Sequence, residues 1–357
     1  MYPPPSVPLS AARLPVALIV AALCFVPARN AGAQNLGECR DIPDDTRRLA
    51  CYDRVSRLPA SAPKAETTSL ADTPAANLKN SAQTGIADSL LGKVWELDPE
   101  NRGKTLRIRP YKPVYVLPLF YSSRPNQSPS SPSPGHSLNS PQNINSSEAK
   151  IQISLKTKLA EDLFGKNGDL WFGYTQTSRW QVYSGGISRP FRETNHEPEA
   201  MLVWKTNYDI AGWKGRFFNL SLNHQSNGRS LPLSRSWNRV MFSLDLERED
   251  WTLSLRPWWR IPEGAAQDEN PDISNYLGRG DMHLVRRWGN HQFSMMLRHS
   301  LRSGRDSHGA IQLDYAFPIA GEMRGHLQWF SGYGESMIDY NRRANYYGVG
   351  VSLLEWY

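Results

Sequence analysis

From Phe218 to Ser226, and again from Asn238 to Leu246, the chain alternates with a period of two, the mark of extended strands with two unlike faces. On the first stretch Phe218, Leu220, Leu222, His224 and Ser226 share one face, while Asn219, Ser221, Asn223 and Gln225 share the other. On the second, Asn238, Val240, Phe242, Leu244 and Leu246 stand against Arg239, Met241, Ser243, Asp245 and Glu247. A histidine, a serine and an asparagine therefore sit at the ends of two consecutive apolar faces. Where such faces meet hydrocarbon, their polar groups need partners or a function.

Length and composition say where such a face could exist. The chain opens with Arg13, an apolar run from Leu14 to Val26 and Ala31-Gly32-Ala33, the form of a secretory signal with an A-x-A cleavage site, so residues 1–33 are expected to be a signal peptide. Cys24 follows Leu23, where a lipidated cysteine would want a small residue. Beyond this segment no apolar run approaches the roughly 20 residues of a membrane helix. Mean hydropathy is negative, so a membrane-spanning chain of this composition must cross as a closed β-barrel. The signal carries Arg13, Arg29 and no acid, so its removal takes the formal charge from +7 to +5. The remaining charges spread along alternating faces instead of forming the basic patch that nucleic acid requires.

Residues 34–103 read as a periplasmic N-terminal segment. Cys39 and Cys51 are its two cysteines; a disulfide closing this short loop is the expectation for an exported chain, with two free thiols as the alternative. Residues 57–90, rich in Ala, Ser, Pro and Thr, read as a flexible linker. The barrel domain is placed at 104–357, as an all-β, twelve-stranded antiparallel transmembrane barrel. Its first strand, within Thr105–Tyr121, is interrupted by prolines and so irregular. The others are marked by Ile151/Leu155, Leu170/Tyr174, Leu202/Thr206, the two stretches above, Trp251/Leu255, Met282/Leu284, Phe293/Leu297, Ile311/Phe317, Leu327/Trp329 and Tyr347/Leu353. Connections alternate between tight and long. With the N-terminus in the periplasm, the fifth strand ends outside, which puts His224, Ser226 and Asn238 at the outer leaflet. Trp356-Tyr357 gives an aromatic terminus, and other Trp and Tyr residues can form interfacial girdles.

An ester-cleaving serine needs a base, an orienter for that base, oxyanion donors and access to substrate. His224 and Ser226 are neighbours on one face, and across an antiparallel pair Asn238 can face His224. A neutral amide can hold the imidazole tautomer, although it stabilises the imidazolium less than a carboxylate would; beside lipid it avoids the cost of desolvating a charge.

The run Asn223 to Ser230, the run Ser234 to Asn238, Pro190-Phe191-Arg192-Glu193-Thr194-Asn195 and Ser331 to Asn341 closely resemble outer-membrane phospholipase A, a twelve-stranded barrel that hydrolyses phospholipid acyl esters. The resemblance spans roughly Thr105 to Tyr357 and leaves Cys39 to Asp53 outside it. It implies a phospholipase A1/A2, a carboxylic ester hydrolase, with Ser226 as nucleophile, His224 as base, Asn238 as orienter and the Gly228 N–H as oxyanion donor. It further implies calcium held in a homodimer by the Arg229 carbonyl, the Ser234 hydroxyl and Ser188 of the partner subunit. Hard oxygen ligands suit that ion. Leu231 stands where the family pattern has an acid, so a second, monomer-state ion site is not expected, and the catalytic ion is expected to lack a nearby carboxylate. Gln176 follows Leu170, Phe172 and Tyr174 on an apolar parity, and the matching glutamine bonds across the family's dimer interface. The rival readings are a non-catalytic barrel, such as a porin or structural protein, and a soluble periplasmic esterase, which would want a G-x-S-x-G elbow.

Overall fold

Lipid outside and a polar interior together force every wall residue to choose a side, and the strands follow that choice. The structure, a computed structural model, describes residues 42–48 and 89–356; the signal and Cys39/Cys51 expectations lie outside the described residues. The chain divides into two compact units, 1–78 and 79–357. In the first, residues 45–48 form one helical turn. The second contains β1 (Ile108–Pro110), β2 (Val114–Ser122), β3 (Ser147–Ala160), β4 (Asp169–Trp180), β5 (Phe191–Ile210), β6 (Trp213–Ser226) and β7 (Ser236–Arg248). It continues with β8 (Trp251–Arg260), β9 (Gly280–Trp288), β10 (His291–His299), β11 (Gly309–Ala320), β12 (Met323–Tyr333) and β13 (Arg343–Leu354).

Strands β2 to β13 pair antiparallel with their sequence neighbours, and β13 returns to β2, so twelve strands close the barrel without an edge. The proline-rich first strand is realised in two pieces. β1 pairs with β3 through Ile108↔Thr157 to Pro110↔Leu155, the chain breaks at Tyr111–Pro113, and β2 resumes the pairing from Tyr115↔Gln152. The register of β2 on β3 shifts again between Leu117 and Phe120, across Pro118, which lacks the donor a ladder needs.

Side chains obey the expected parity. Leu222 and Phe242 are exposed on the outer wall, whereas Asn219, Ser221 and Asn223 are buried inside. The interior carries charge: Arg192 bridges Glu148 and Asp339, each at 2.9 Å, and Lys150 meets Glu335 at 2.8 Å. Tight hairpins close one end. Ala211 and Gly212 both have positive φ, 53° and 80°, the conformation of a two-residue turn whose twist matches the strands. Rings gather near this end, with Trp204 stacked on Phe218 at 4.6 Å and Trp288 on His291 at 5.5 Å. Trp356 packs edge-on against the partly buried His283 at 5.3 Å.

Packing with the wall reaches back before residue 104. Helix α1 (Leu90–Trp95) packs on inward-facing residues of the wall, where Leu91, Trp95 and Leu97 cluster with Trp171, Met201, Val203 and Phe217. Ser89 caps α1 by accepting from the Gly92 N–H and donates to Glu247 at 2.6 Å, and the Leu90 N–H reaches the same carboxylate at 2.7 Å. Asp98 then pairs with Arg216 at 2.8 Å. Residues 89–103 thus belong to the barrel unit and fill its tight-turn end. Trp95→Ala is expected to lower unfolding free energy by about 3 kcal/mol, because the ring leaves a cavity among Trp171 and Phe217. Urea unfolding of the refolded protein, followed by its heat-modifiable gel shift, checks this; a loss under about 1 kcal/mol would show that α1 packs loosely.

Candidate active site

The β6–β7 ladder sets the register on which the chemistry depends. Asn223 pairs with Arg239, His224 with Asn238 and Ser226 with Ser236, so His224 and Asn238 stand directly opposite on the outer face. Their side chains meet: His224 Nδ1 lies 2.8 Å from Asn238 Oδ1. An amide oxygen only accepts, so Nδ1 carries the proton and Nε2 is left as the basic nitrogen. Ser226 is two residues on, on the same face, at the last position of β6. Among the described residues no hydrogen bond joins Ser226 Oγ to the imidazole; such bonds are commonly long in free enzymes and tighten with substrate.

After Ser226 the chain must leave the wall, and Asn227 fastens the loop that does so. Its Oδ1 accepts from the Arg235 N–H at 3.0 Å and the Arg229 N–H at 3.3 Å, while its Nδ2 donates to the Leu233 carbonyl at 2.8 Å. Gly228 takes φ +59°, a left-handed turn that an ordinary side chain resists. The turn sets the Gly228 N–H two residues beyond the nucleophile.

Across the mouth, the residues that carry the family resemblance form the scaffold of this loop system. Arg192 joins Glu148 on β3 to Asp339 in the 334–342 loop. Glu193 accepts from the Ile338 N–H at 2.9 Å, and Asn195 Oδ1 from the Met337 N–H at 3.1 Å. Arg179 donates from Nε to Glu335 at 2.6 Å. These interior polar groups bond mostly to one another, leaving Arg179 Nη1 and Asp339 Oδ1 without a hydrogen-bond partner among the described residues, and they fix the loops without contributing a reacting atom.

The ion-ligand candidates divide. Ser234 donates its hydroxyl to Glu269, whose other oxygen, Oε2, is buried with no hydrogen-bond partner among the described residues. A buried acceptor lacking a donor is what a cation satisfies. Leu231 is exposed, whereas the 261–272 loop brings the Glu269 carboxylate onto Ser234. Arg229 and Ser234 sit on the same short loop. Ser188 does not join them. It caps a 3-10 turn, Gly185–Ile187, in left-handed conformation, and its N–H bonds Gly185 at 3.2 Å. Among the described residues no cluster of three His, Cys, Asp or Glu side chains is placed to hold a metal.

Gln176 accepts from the Tyr174 hydroxyl at 3.2 Å and donates to Ser178 at 3.3 Å. The same hydroxyl lies 2.7 Å from His196 Nδ1, and His196 is the β5 partner of Ser226. A polar cluster on the outer wall therefore runs from Gln176 to the nucleophile's flank. His196 and Glu269 carry no motif of their own in the sequence.

The phospholipase A1 family model matches residues 91–353. A phospholipase A1 from Klebsiella pneumoniae is 33% identical over 305 residues, covering 85% of this chain and 97% of its own length. Among solved structures, the chain is similar to the Salmonella typhi outer-membrane phospholipase dimer with bound calcium, with TM-score 0.65, 33% identity and coverage of 74% of this chain and 98% of that one. It is also similar to an active-site mutant of Escherichia coli outer-membrane phospholipase A, in which an asparagine is changed to alanine, with TM-score 0.66, 32% identity and coverage of 75% and 100%.

Proposed function

We propose, for a chain that belongs to the phospholipase A1 family and hydrolyses phospholipids in the outer membrane, that the acyl ester is cleaved by a Ser226–His224–Asn238 triad on the lipid-facing wall, with calcium, in a homodimer. The observation that carries the triad is the 2.8 Å contact of His224 with Asn238 on the outer face. The asparagine altered in the Escherichia coli active-site mutant supports the role of such an amide.

His224 Nε2 takes the Ser226 proton as Oγ attacks the acyl carbonyl. Asn238 holds the Nδ1–H while the imidazolium exists, and the Gly228 N–H donates to the oxyanion. The same proton then passes to the departing lysophospholipid oxygen, leaving an acyl ester on Ser226 that water cleaves by the reverse use of His224. Because the site opens on the wall, at the end of β6, substrate reaches it from the outer leaflet without entering the barrel. The Arg229 carbonyl, the Ser234 hydroxyl and Ser188 of the partner subunit would hold calcium, with the Glu269 carboxylate beside Ser234. When bound, the ion supplies Lewis-acid polarisation of the carbonyl.

The porin reading fits less well. α1 fills the tight-turn end and buried ion pairs cross the interior, where a porin keeps an aqueous channel. The refolded protein in phospholipid vesicles is expected to release fatty acid with calcium, and to lose at least about tenfold of that rate with chelator. Equal rates in both would overturn the calcium assignment and leave the triad standing.

A further inference from the structure

Beyond the triad, the structure places a carboxylate behind its third member. β8 continues its outward parity past its end: Trp259 pairs with Val240, and the Ile261 N–H bonds the Asn238 carbonyl at 2.8 Å, so Glu263 falls diagonally beside Asn238 on the same face. Asn238 Nδ2 donates to Glu263 Oε1 at 2.8 Å. We propose that Glu263 is a positioning residue for the hydrolysis, a fourth member that fixes the Asn238 amide and lends its charge to the His224 imidazolium. This inference rests on the triad reading above and deepens it.

The logic is one of donors and acceptors. An ionised carboxylate only accepts, so the end of Asn238 that faces Glu263 must be its NH2. The amide oxygen is then turned to His224, Nδ1 must be the protonated nitrogen, and Nε2 is the one left for Ser226. Without Glu263 the amide could flip and present its NH2 to Nδ1, which would select the wrong tautomer. A neutral amide also stabilises an imidazolium weakly, and a carboxylate one hydrogen bond further back restores part of that stabilisation by polarising the amide. The charge lies in the 261–272 loop beyond the end of β8, where Oε1 takes the Asn238 bond and Oε2 is buried with no hydrogen-bond partner among the described residues.

Other charged groups surround Glu263. Arg260 Nη2 stands 3.9 Å from Oε2 but is committed to Asp268 at 2.6 Å, so Glu263 is left to Asn238. Burial pushes the Glu263 carboxyl up from its ordinary value; the bond from Asn238 and the charge of Arg260 pull it down, and Asp268 and Glu269 push it up.

The test compares Glu263→Gln and Glu263→Ala, alone and with Asn238→Asp, by fatty-acid release from phosphatidylcholine vesicles at saturating calcium across pH. Gln keeps an acceptor for the amide but not the charge; Ala keeps neither. Glu263→Ala is expected to lower kcat about tenfold with KM unchanged, and Glu263→Gln about threefold, since only the charge is lost. In Glu263→Gln the acid limb of the kcat/KM profile is expected to move about half a pH unit downward, because the imidazolium loses a favourable neighbour. With Asn238→Asp the carboxylate meets His224 directly, so removing Glu263 should cost nothing further. An unchanged kcat and acid limb in both single variants would overturn the proposal. So would the same tenfold loss in the Asn238→Asp background, which would mark Glu263 as loop support only. If Ser226→Ala is inactive while the Glu263 variants match wild type, this inference alone fails; an active Ser226→Ala would remove the triad beneath it.

Discussion

Ser226→Ala is expected to lower phospholipid hydrolysis by roughly 10⁴ or more while leaving a folded, heat-modifiable barrel. The serine hydroxyl is the only atom in the triad that forms a bond to the acyl group, so its loss removes the covalent route altogether. The fold does not depend on it. Ser226 contributes to the β6 ladder through its backbone, opposite His196 and Ser236, and the replacement keeps those bonds. His224→Ala should cost about as much, and the double variant no more than either alone, because the two act as a unit. Fatty-acid release measured beside the heat-modifiable shift separates chemistry from folding. A Ser226→Ala protein turning over at the wild-type rate would sink the nucleophile assignment, and a sum of independent losses in the double variant would show that His224 is not its base.

The outer wall and the outward pairing of His224 with Asn238 were legible in sequence for one reason. Lipid on one side and a polar interior on the other impose a period of two on each strand, so a polar residue such as His224 at an apolar parity stands out. The antiparallel register then follows from matching Leu222 with Val240, which puts Asn238 opposite His224. The same logic has no purchase on α1. Its six residues are too few to show helical periodicity, and its burial is decided by Trp171, Met201, Val203 and Phe217, which lie on three strands far along the chain. Interior acids and bases read as ordinary polar-face residues, so the bridge from Glu148 through Arg192 to Asp339 is visible only once the barrel closes. Glu263 and Glu269 fall in a long loop. Only the parity running from Trp259 through Ile261 to Glu263 hinted at the first, and Pro262 interrupts it. Nothing near Ser234 in sequence points to Glu269.

Calcium binding and dimer formation are expected to favour one another. If Ser188 of the partner subunit completes the ion's shell, a monomer offers only the Arg229 carbonyl, the Ser234 hydroxyl and the Glu269 carboxylate that Ser234 meets. The ion then binds the dimer more tightly, and by linkage the dimer is more populated when the ion is present. Within one chain Gln176 satisfies its amide on Tyr174 and Ser178 at 3.2 and 3.3 Å, long contacts that a second copy on the same wall could replace with better ones. Gln176→Ala should therefore weaken association and raise the calcium needed for half-maximal dimer about tenfold. Leu231→Asp should lower that requirement by a smaller factor, because Glu269 already brings one carboxylate to Ser234. Cross-linking across a calcium titration in detergent micelles, for wild type and both variants, reads the dimer fraction directly, and vesicle hydrolysis on the same samples reads activity. A dimer fraction indifferent to calcium would break the link between ion and assembly. Full activity in a monomeric, calcium-free sample would overturn the ion's role as well, while the outward triad on β6 and β7 would still account for the ester chemistry.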